Sequence, residues 1–413
     1  MNKFLFIFLI YFISIKISAQ TGWQQVSSFG TNPGNLNMYM YVPVDLSANT
    51  PMVFALHGCS QNAVQCRDNT GWNELADIYK FIVVYPEQKT INNSYNCFNW
   101  FLPSDQERDV GEALSIKQMA DYVQENFNVD ADKIFITGLS AGAGMSTVML
   151  ACYPDIFNAG AIMSGVPYKA ASDALTASNA MYGLINKTPQ EWASLVTNAY
   201  PQFTGNYPRV CVFHGLQDMV VYPANINELT EQWTAVHNIS QTASGITTSF
   251  NSNPDIEQSV YKNQASDTIV LVYKINNMGH AIAVDPGFGS TQGGTTGTYA
   301  IDKNFHSSYW AAKFFGLINL LSSEREIVLS EHASKLKVYQ NFSKNEISVF
   351  SSSKEKQNVS VCIFNSLGEK IFEKINPEEK ISFNTCFISP GIYVCALFER
   401  NVLISTARFS VVK

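Results

Sequence analysis

The sequence predicts an α/β protein with a mostly parallel β-sheet, followed by a small antiparallel β-sandwich. Short apolar runs rich in β-branched residues alternate with helical patterns up to about residue 320, which is typical of a parallel sheet covered by helices on both faces. At 413 residues the chain exceeds the size at which a single core stops growing, so a second domain is expected. After about residue 320, short alternating runs separated by Ser, Asn and Gly predict that second domain.

The first residues predict a secretory signal peptide over 1–20. They combine Lys3, a long apolar run and a small residue at Ala19, so cleavage is expected near Ala19 or Gln20. Lys16 interrupts the apolar run, which is short for a membrane span; a retained anchor is the alternative. Because no other segment is long and apolar enough to cross a bilayer, we predict a secreted protein, extracellular or attached to the cell surface, with no stable membrane span.

The strands of the main domain, expected over 21–320, are the apolar runs that end in loops. The clearest helical pattern between them is DVGEALSIKQMADYVQENF, in which apolar residues recur at spacings of three and four. The predicted strands are MYMYVPV, PMVFALHG, FIVVYPEQ, KIFITGLS, NAGAIMSG, RVCVFHG and TIVLVYKI.

A G-x-S-x-G pattern centres on Ser140, between the predicted strand KIFITGL and the helical pattern MSTVMLACY. A serine on so sharp a strand-to-helix turn needs Gly138 and Gly142 beside it, because neighbouring β-carbons would not fit. The pattern therefore predicts a nucleophile elbow with Ser140 as the nucleophile.

Serine needs a base to remove its proton and a third group to orient that base. Among the six histidines, His280 follows a strand, is flanked by small residues and comes after the acid in the chain. Asp218 follows the strand RVCVF and precedes the helical pattern PANINELTEQW. We therefore predict Asp218 as the acid and His280 as the base; the alternatives are an ordinary turn aspartate and a loop histidine. His57 and His214, each before a glycine, are expected to shape turns.

Acyl transfer also needs two backbone N–H groups directed at the developing oxyanion. One is expected from Ala141, the residue after the nucleophile. The other is expected from the loop after the strand PMVFAL, and we assign it to the amide of Cys59.

An insert of about forty residues, 166–207, has helical character and no strand pattern. We predict that it forms a lid over Ser140; the alternative is a plain crossover helix with long loops. Trp100, Asn99 and Tyr222 are candidate substrate contacts near the motifs. The alternatives are a core position for Trp100, a hydrogen bond within its own loop for Asn99 and packing under the triad loop for Tyr222.

Two carboxylates begin the helical pattern that follows NCFNWF. Asp109 and Glu112 stand at its start, and we expect both to interact with the positive end of the helix dipole.

The motifs together resemble the secreted polyhydroxybutyrate depolymerase family of esterases, which is related to feruloyl and acetylxylan esterases. The resemblance covers about residues 24–320 and implies the α/β-hydrolase fold and ester hydrolysis. It also implies Ser140, Asp218 and His280 as the triad and Cys59 and Ala141 as oxyanion donors. The motifs are, in order, LHGCSQ, NCFNWF, GLSAGAGMS, HGLQD, and MGHAIAVDPG followed by SSYWAAKFFGL.

The same resemblance implies a disulfide between Cys59 and Cys97, joining the oxyanion loop to the NCFNWF segment. No cysteine stands near QGGTTG, where depolymerases of this family often have one, so no second disulfide is expected there. Cys152, at the end of a helical pattern, and Cys211, inside a strand, are expected to be small buried side chains.

The C-terminal part begins with a polar linker over 321–335, and the β-sandwich is expected over 336–413. The spacing of VYQNFS, IFNSLGEKIF, PGIYV and the final VVK resembles the sorting domain of the type IX secretion system, although Gln340 stands where a proline is usual. This resemblance implies the outer-membrane secretion machinery as a partner. The alternative is a substrate-binding β-module.

Charge and composition exclude several functions. A net charge of −7 without a basic cluster argues against nucleic acid and against anionic lipid. No C-x-x-C or histidine-rich pair suggests a metal, and no organic cofactor is implied.

The leading hypothesis is a secreted serine carboxylester hydrolase that acts on poly- or oligo-hydroxyalkanoate esters through an acyl-enzyme. The alternative is a feruloyl or acetylxylan esterase acting on plant polysaccharide. A serine peptidase, an acyltransferase or a non-catalytic surface binding protein are further alternatives on the same fold.

Overall fold

The structure is a computed structural model, and it divides the chain into two compact units, residues 1–319 and 320–413. The predicted linker, and all of the predicted signal peptide except its last residue, lie outside the described residues. The described residues are 20–287, 291–318, 336–341, 346–351, 359–365, 369–375, 380–384, 388–389, 391–400 and 402–411.

The strands of the first unit run as follows: β1 (Gly22–Val26), β2 (Asn37–Val42), β3 (Thr50–Leu56), β4 (Ile82–Glu87), β5 (Val129–Leu139), β6 (Ala159–Met163), β7 (Arg209–Gly215), β8 (Gly245–Thr247), β9 (Ile256–Lys262), β10 (Thr268–Ile275), β11 (Ile282–Val284) and β12 (Ala300–Asp302). Its helices are α1 (Ala63–Thr70), α2 (Trp72–Tyr79), α3 (Gly111–Asn126), α4 (Ala141–Cys152), α5 (Ala174–Met181), α6 (Pro189–Thr197), α7 (Ala224–Val236) and α8 (Ser307–Phe315).

Within the described residues of this unit, a ten-stranded sheet has the order β1-β2-β4-β3-β5-β6-β7-β10-β9-β8. Each pair of neighbouring strands between β4 and β10 in that order is parallel. The strands at both edges, β1 and β2 on one side and β9 and β8 on the other, pair antiparallel. The architecture confirms the predicted α/β-hydrolase type of fold with a mostly parallel sheet.

The apolar runs of the sequence become strands because helices cover both faces of the sheet. Strand β3 shows this alternation: Val53 and Ala55 face one apolar core, while Phe54 and Leu56 face the other. Strand β2, next to the edge, instead alternates between buried and half-buried residues. The two-sided burial explains why the central strands read as nearly continuous apolar runs.

The predicted lid, 166–207, contains α5 and α6. The Trp192 side chain of α6 is buried, and its Nε1 donates a 2.7 Å hydrogen bond to Oε2 of Glu228 on α7. The N–H of Tyr168 donates to the side-chain oxygen of Gln232, also on α7, at 2.9 Å. The segment is therefore anchored to α7, the helix that follows the loop carrying Asp218 (the acid loop).

The second unit is antiparallel in its described residues, as the sequence predicts. One sheet has the order β13-β14-β17 and the other β16-β15-β18-β19. Val349 and Ile381 of the first sheet share an apolar core with Val361 and Leu397 of the second. The strands are β13 (Leu336–Asn341), β14 (Glu346–Ser351), β15 (Val359–Asn365), β16 (Lys370–Ile375), β17 (Lys380–Asn384), β18 (Gly391–Glu399) and β19 (Val402–Val411).

Within the described ranges, no helix combines the length and the apolar character that a membrane span requires.

Candidate active site

Ser140 stands between the end of β5 and the start of α4, in a backbone conformation that most residues avoid. Its φ of 57° and ψ of −118° belong to neither strand nor helix. Its N–H donates a 3.0 Å hydrogen bond to the carbonyl of Met163 at the end of β6, which holds the turn on the sheet. A non-glycine residue in such a conformation costs on the order of 1–3 kcal/mol and persists where the surroundings enforce it. This is the backbone geometry of a nucleophile elbow.

The two glycines of the motif make this turn possible. A Cβ added at Gly138 would lie 2.4 Å from the backbone of Gly142. A Cβ added at Gly142 would lie 2.5 Å from the carbonyl oxygens of Leu56 and His57. Both distances are far below van der Waals contact, so the turn, the strand before it and the loop after β3 fit together only with glycine at both positions.

Asp218 and His280 form a direct pair. Oδ2 of Asp218 accepts a hydrogen bond from Nδ1 of His280 at 2.7 Å. Its Oδ1 accepts from the N–H groups of Val220 and Val221, both at 2.9 Å. Burial raises the pKa of the Asp218 carboxyl, but the His280 and backbone hydrogen bonds outweigh it and lower the pKa below its usual value. Asp218 is therefore ionised, and both of its carboxylate oxygens accept hydrogen bonds.

This pair fixes the proton on the imidazole. An ionised carboxylate only accepts hydrogen bonds, so Nδ1 of His280 carries the proton and Nε2 is left with its lone pair. Among the described residues, neither Nε2 of His280 nor Oγ of Ser140 has a protein hydrogen-bond partner. Both atoms are therefore available to a substrate.

Backbone hydrogen bonds join the loop that carries Asp218 to the loop that carries His280. The N–H of Leu216 donates to the carbonyl of Ile275 at 2.9 Å, and the N–H of Gln217 donates to that of Met278 at 3.0 Å. These contacts extend the parallel pairing of β7 and β10 beyond the strand ends. The acid and the base are thus fixed relative to one another.

His214 lies beside this pair but is held in another way. Its Nε2 is 2.8 Å from the carbonyl oxygen of Val221 and 3.5 Å from Oδ2 of Asp218. Burial lowers its pKa, so the ring is neutral and donates its Nε2 proton to Val221. His214 shapes the acid loop, in agreement with its predicted turn-shaping position.

The loop after β3 carries Cys59, which forms a disulfide with Cys97. In the described residues, neither the N–H of Cys59 nor that of Ala141 has a hydrogen-bond acceptor. A free N–H at the first turn of α4 is expected, because the first amides of a helix have no partner within it. Both amides can therefore bind an anionic oxygen.

The buried His57 side chain stabilises that loop through hydrogen bonds of its ring. Nδ1 of His57 donates to the carbonyl of Gly58 at 2.7 Å, and Nε2 accepts from the N–H of Gln88 at 3.0 Å. The N–H of Gly58 in turn donates to Oε1 of Gln61 at 2.9 Å. Both ring nitrogens of His57 are occupied, so it acts in the turn and has no nitrogen left to serve as a base.

Trp100 and Asn99 are both buried and pack against neighbouring parts of the fold. Trp100 is 6% exposed, and a Cβ added at Gly144 of α4 would lie 2.7 Å from its ring, so the indole packs on that helix. Nδ2 of Asn99 donates to Glu112 at 2.8 Å, and its Oδ1 accepts from Asn93 at 2.9 Å. Both have structural contacts, and contact with substrate stays a prediction for each.

Tyr222 connects the acid loop to the predicted lid. Its ring meets that of Tyr182 edge to face, with centroids 5.4 Å apart. Its N–H donates to the carbonyl of Met181 at 2.7 Å. The third predicted substrate contact thus lies where α5 meets the loop after Asp218.

The sequence reasoning missed two further parts of this region. Tyr299 contacts the His280 ring edge to face, with centroids 6.5 Å apart. Glu112 stands in the first turn of α3, as expected, but its carboxyl also accepts hydrogen bonds from Asn99 and Gln88. Neither residue stands in a motif, so no local signal indicated these contacts.

No group of three or more His, Cys, Asp or Glu side chains within the described ranges is arranged to hold a metal ion.

Comparison with known proteins agrees with this fold. The family described as Esterase PHB depolymerase matches residues 36–251. Poly(3-hydroxyalkanoate) depolymerase C from Paucimonas lemoignei is 44% identical over 313 residues, which is 74% of this chain and 73% of that protein. Feruloyl esterase B from Talaromyces stipitatus is 40% identical over 226 residues, 53% of this chain and 62% of that protein.

Among solved structures, an acetyl xylan esterase from Aspergillus awamori superposes with a TM-score of 0.61 and 26% identity, covering 72% of this chain and 100% of that one. Fold and relatives together define an esterase of the serine hydrolase class. The chain belongs to the Esterase PHB depolymerase family.

Proposed function

We propose that the chain hydrolyses carboxylic esters with Ser140 as nucleophile, His280 as general base and Asp218 as the group that orients the base. The 2.7 Å hydrogen bond between Asp218 and Nδ1 of His280 carries this proposal, because it leaves Nε2 as the proton acceptor. The strained elbow at Ser140 supports the nucleophile assignment. The three residues follow β5, β7 and β10, whose carboxyl ends lie on the same edge of the sheet.

The reaction proceeds through an acyl-enzyme. Oγ of Ser140 attacks the ester carbonyl carbon while its proton passes to Nε2 of His280. The tetrahedral intermediate collapses, the bond to the alcohol oxygen breaks, and His280 gives its proton to the departing alcohol. Water then attacks the acyl group with His280 again as base, and the free acid leaves as Ser140 recovers its proton.

The amides of Cys59 and Ala141 stabilise the oxyanion in both steps. Two observations support this assignment. Each N–H lacks an acceptor among the described residues. Each also stands next to the elbow: Ala141 begins the helix after Ser140, and Cys59 lies in the loop after β3, whose end Gly142 contacts. Removing one such donor typically costs about 100- to 1000-fold in rate.

For the substrate, we favour poly- or oligo-hydroxyalkanoate esters. The match to the Paucimonas lemoignei depolymerase spans 313 residues of alignment, whereas that to the Talaromyces stipitatus feruloyl esterase spans 226. An apolar polyester also suits the exposed apolar side chains on the acid loop and the lid. These are Leu216, Met219 and Val220 on the loop and Leu175, Tyr182 and Leu184 on the lid.

Feruloyl or acetyl esters on plant polysaccharide are the second candidate. The superposition on the Aspergillus awamori acetyl xylan esterase supports this reading, because the whole of that chain is covered. In either case Trp100, Asn99 and Tyr222 are the proposed substrate contacts, and residues 166–207 the proposed lid.

We further propose that the protein is exported and that its domains follow the sequence-based boundaries: signal peptide 1–20, esterase domain 21–320, linker 321–335 and sorting domain 336–413. The Cys59–Cys97 disulfide supports an oxidising compartment. The separate apolar core of the C-terminal sandwich supports an independent module, for which we propose the outer-membrane secretion machinery as partner.

Two experiments test these proposals. Purified protein should cleave p-nitrophenyl butyrate, and Ser140→Ala should abolish that activity. Ser240→Ala, which changes an exposed serine after α7, is the control and should stay active. Activity retained by Ser140→Ala would overturn the nucleophile assignment.

Clearing of a polyhydroxybutyrate suspension without release of ferulate or acetate from arabinoxylan supports the polyester substrate, and the reverse result supports the polysaccharide ester.

A further inference from the structure

Glu112 is a buried carboxyl group that the proposed chemistry does not use. It stands in the first turn of α3, is 1% exposed, and is surrounded by amide donors. Oε2 accepts from the N–H of Asn99 at 2.8 Å, while Oε1 accepts from Nδ2 of Asn99 at 2.8 Å and from Nε2 of Gln88. A single side chain thus binds two separate segments, one after β4 and one in NCFNWF.

The dipole of α3 does not explain this arrangement. The N–H of Glu112 already donates to Oδ1 of Asp105 at 2.9 Å, so Asp105 supplies the acceptor at the start of the helix. The Glu112 carboxyl points instead to Asn99 and Gln88. Glu112 does not face solvent, because only 1% of its surface is exposed, and this burial raises its pKa to about 8, with Asp105 adding to the rise.

The first connection from Glu112 to the oxyanion loop runs through Gln88. The Gln88 side chain is held by Glu112 and also donates to the carbonyl of Cys97 at 3.2 Å. The Gln88 backbone N–H donates to Nε2 of His57, and Nδ1 of His57 donates to the carbonyl of Gly58. That carbonyl belongs to the peptide group whose N–H is the proposed Cys59 donor.

The second connection runs through the NCFNWF segment. Glu112 binds the backbone and the side chain of Asn99, two residues after Cys97. Cys97 is covalently joined to Cys59. Trp100, next to Asn99, packs on Gly144 of the helix that begins at the elbow. The two connections therefore meet at the peptide group between Gly58 and Cys59.

We propose that Glu112 is a positioning residue for the oxyanion hole, which holds the Cys59 amide in place through Gln88 and His57 on one side and through the Asn99 segment and the disulfide on the other. The inference rests on the proposed ester hydrolysis at Ser140. Because the carboxyl touches the supports of the loop and not the substrate, its loss should affect the transition state more than substrate binding.

The test compares kcat and KM for p-nitrophenyl acetate in Glu112→Ala and Glu112→Gln. Glu112→Ala should lower kcat about 10- to 100-fold, somewhat less than removal of a donor itself, with KM nearly unchanged. Glu112→Gln keeps one acceptor oxygen and should recover part of kcat. A trifluoromethyl ketone, whose adduct with Ser140 places an oxyanion in the hole, should bind more weakly in the same order.

The control variant is Asn158→Ala, which removes the Oδ1 acceptor of the Ile134 N–H, a 2.9 Å bond towards the opposite end of β5. It should lower Tm but leave kcat unchanged. Equal kcat losses in Glu112→Ala and Asn158→Ala at equal Tm would overturn the proposal, as would a change confined to KM.

If Glu112→Ala does not fold, Asn99→Ala provides the same test. It removes one of the three hydrogen bonds to the carboxyl and should lower kcat in the same direction by a smaller factor, and an unchanged kcat would overturn the proposal. Ser140→Ala distinguishes failure of the proposed triad from failure of the positioning role. If Ser140→Ala retains activity, the triad is contradicted. If Ser140→Ala is inactive but the Glu112 variants have normal kcat, only the positioning role is contradicted.

Discussion

Asp218 and His280 are 62 residues apart in the chain, yet the carboxylate of one accepts a 2.7 Å hydrogen bond from the ring of the other. The other carboxylate oxygen is occupied by two backbone N–H groups, those of Val220 and Val221. The side chain therefore has one orientation, and that orientation selects the Nδ1–H tautomer of His280. The structure of the loop that carries Asp218 therefore leaves Nε2 as the ring nitrogen for the proposed proton acceptance.

Asp218→Asn should lower kcat for p-nitrophenyl butyrate by about 10⁴-fold, the loss typical of this change in a serine triad. The asparagine amide can donate to Nδ1 and so favours the tautomer with its proton on Nε2, which cannot accept the Ser140 proton. Asp155→Asn, which removes a carboxylate paired with Arg108 at 2.8 Å, is the matched control and should leave kcat unchanged. Comparable rates for Asp218→Asn and the wild type would contradict the orienting role.

Gly142→Ala should both destabilise the protein and reduce kcat. The new methyl group would meet the carbonyl oxygens of Leu56 and His57 at 2.5 Å, so the elbow and the oxyanion loop would move apart. Overpacking typically costs about 1–3 kcal/mol in the free energy of unfolding. Gly245→Ala is the control, because nothing lies within 4 Å of a Cβ added there. Urea unfolding and ester assays measure both effects, and equal behaviour of the two variants would argue against the tight fit.

Cys97→Ser should lower the free energy of unfolding by about 3–4 kcal/mol, as expected for a cross-link between residues this far apart in sequence. The two cysteines are 38 residues apart, so the bond restricts a long loop in the unfolded chain. Dithiothreitol should lower the Tm of the wild type towards that of the variant. A Tm insensitive to the reductant would show that the bond contributes little.

Acid should weaken the fold through His306. Burial lowers its pKa to about 4, while its Nε2 lies 2.8 Å from the carbonyl oxygen of Thr70. In the unfolded chain the ring binds a proton below its usual pKa of 6.5, whereas the folded protein does not until about pH 4. Stability is therefore fully present above pH 6.5 and is lost as the pH falls from there towards 4, by up to about 3 kcal/mol.

His306→Gln checks this sign, because glutamine offers a donor to Thr70 without titrating. Urea unfolding at several pH values should show a flatter decline between pH 6.5 and 4 in the variant than in the wild type. Parallel declines would place the acid sensitivity elsewhere, for instance in the buried rings of His57 and His214, whose pKa values burial also lowers.

The sequence predicted the central strands well because they are buried on both faces. The runs PMVFALHG and RVCVFHG became β3 and β7, and DVGEALSIKQMADYVQENF became α3. The antiparallel edge strands β1, β8 and β9 were not predicted. All residues of β8 are exposed, and only Ile256 and Ser259 of β9 are buried, so neither strand forms an apolar run. Their place depends on neighbours that are distant in sequence.

The candidate site likewise contains residues that the sequence predicts and others that it does not. Ser140, Asp218 and His280 stand in motifs with strand signals before them, and the structure brings Asp218 and His280 into contact. The support behind them was not predictable, because Glu112 meets Asn99 and Gln88 only through the packing of α3 against two loops. A carboxylate at a helix start reads the same in sequence whether it faces solvent or the interior.

Three thiols of the first unit, Cys66, Cys152 and Cys211, are free and fully enclosed. Burial raises the pKa of Cys66 and of Cys152 to about 12 and that of Cys211 well above its usual value. Thiol–disulfide exchange proceeds through the thiolate, which these groups do not form near neutral pH. Burial of these three thiols therefore protects the Cys59–Cys97 disulfide from exchange once folding is complete, as the proposed export would require.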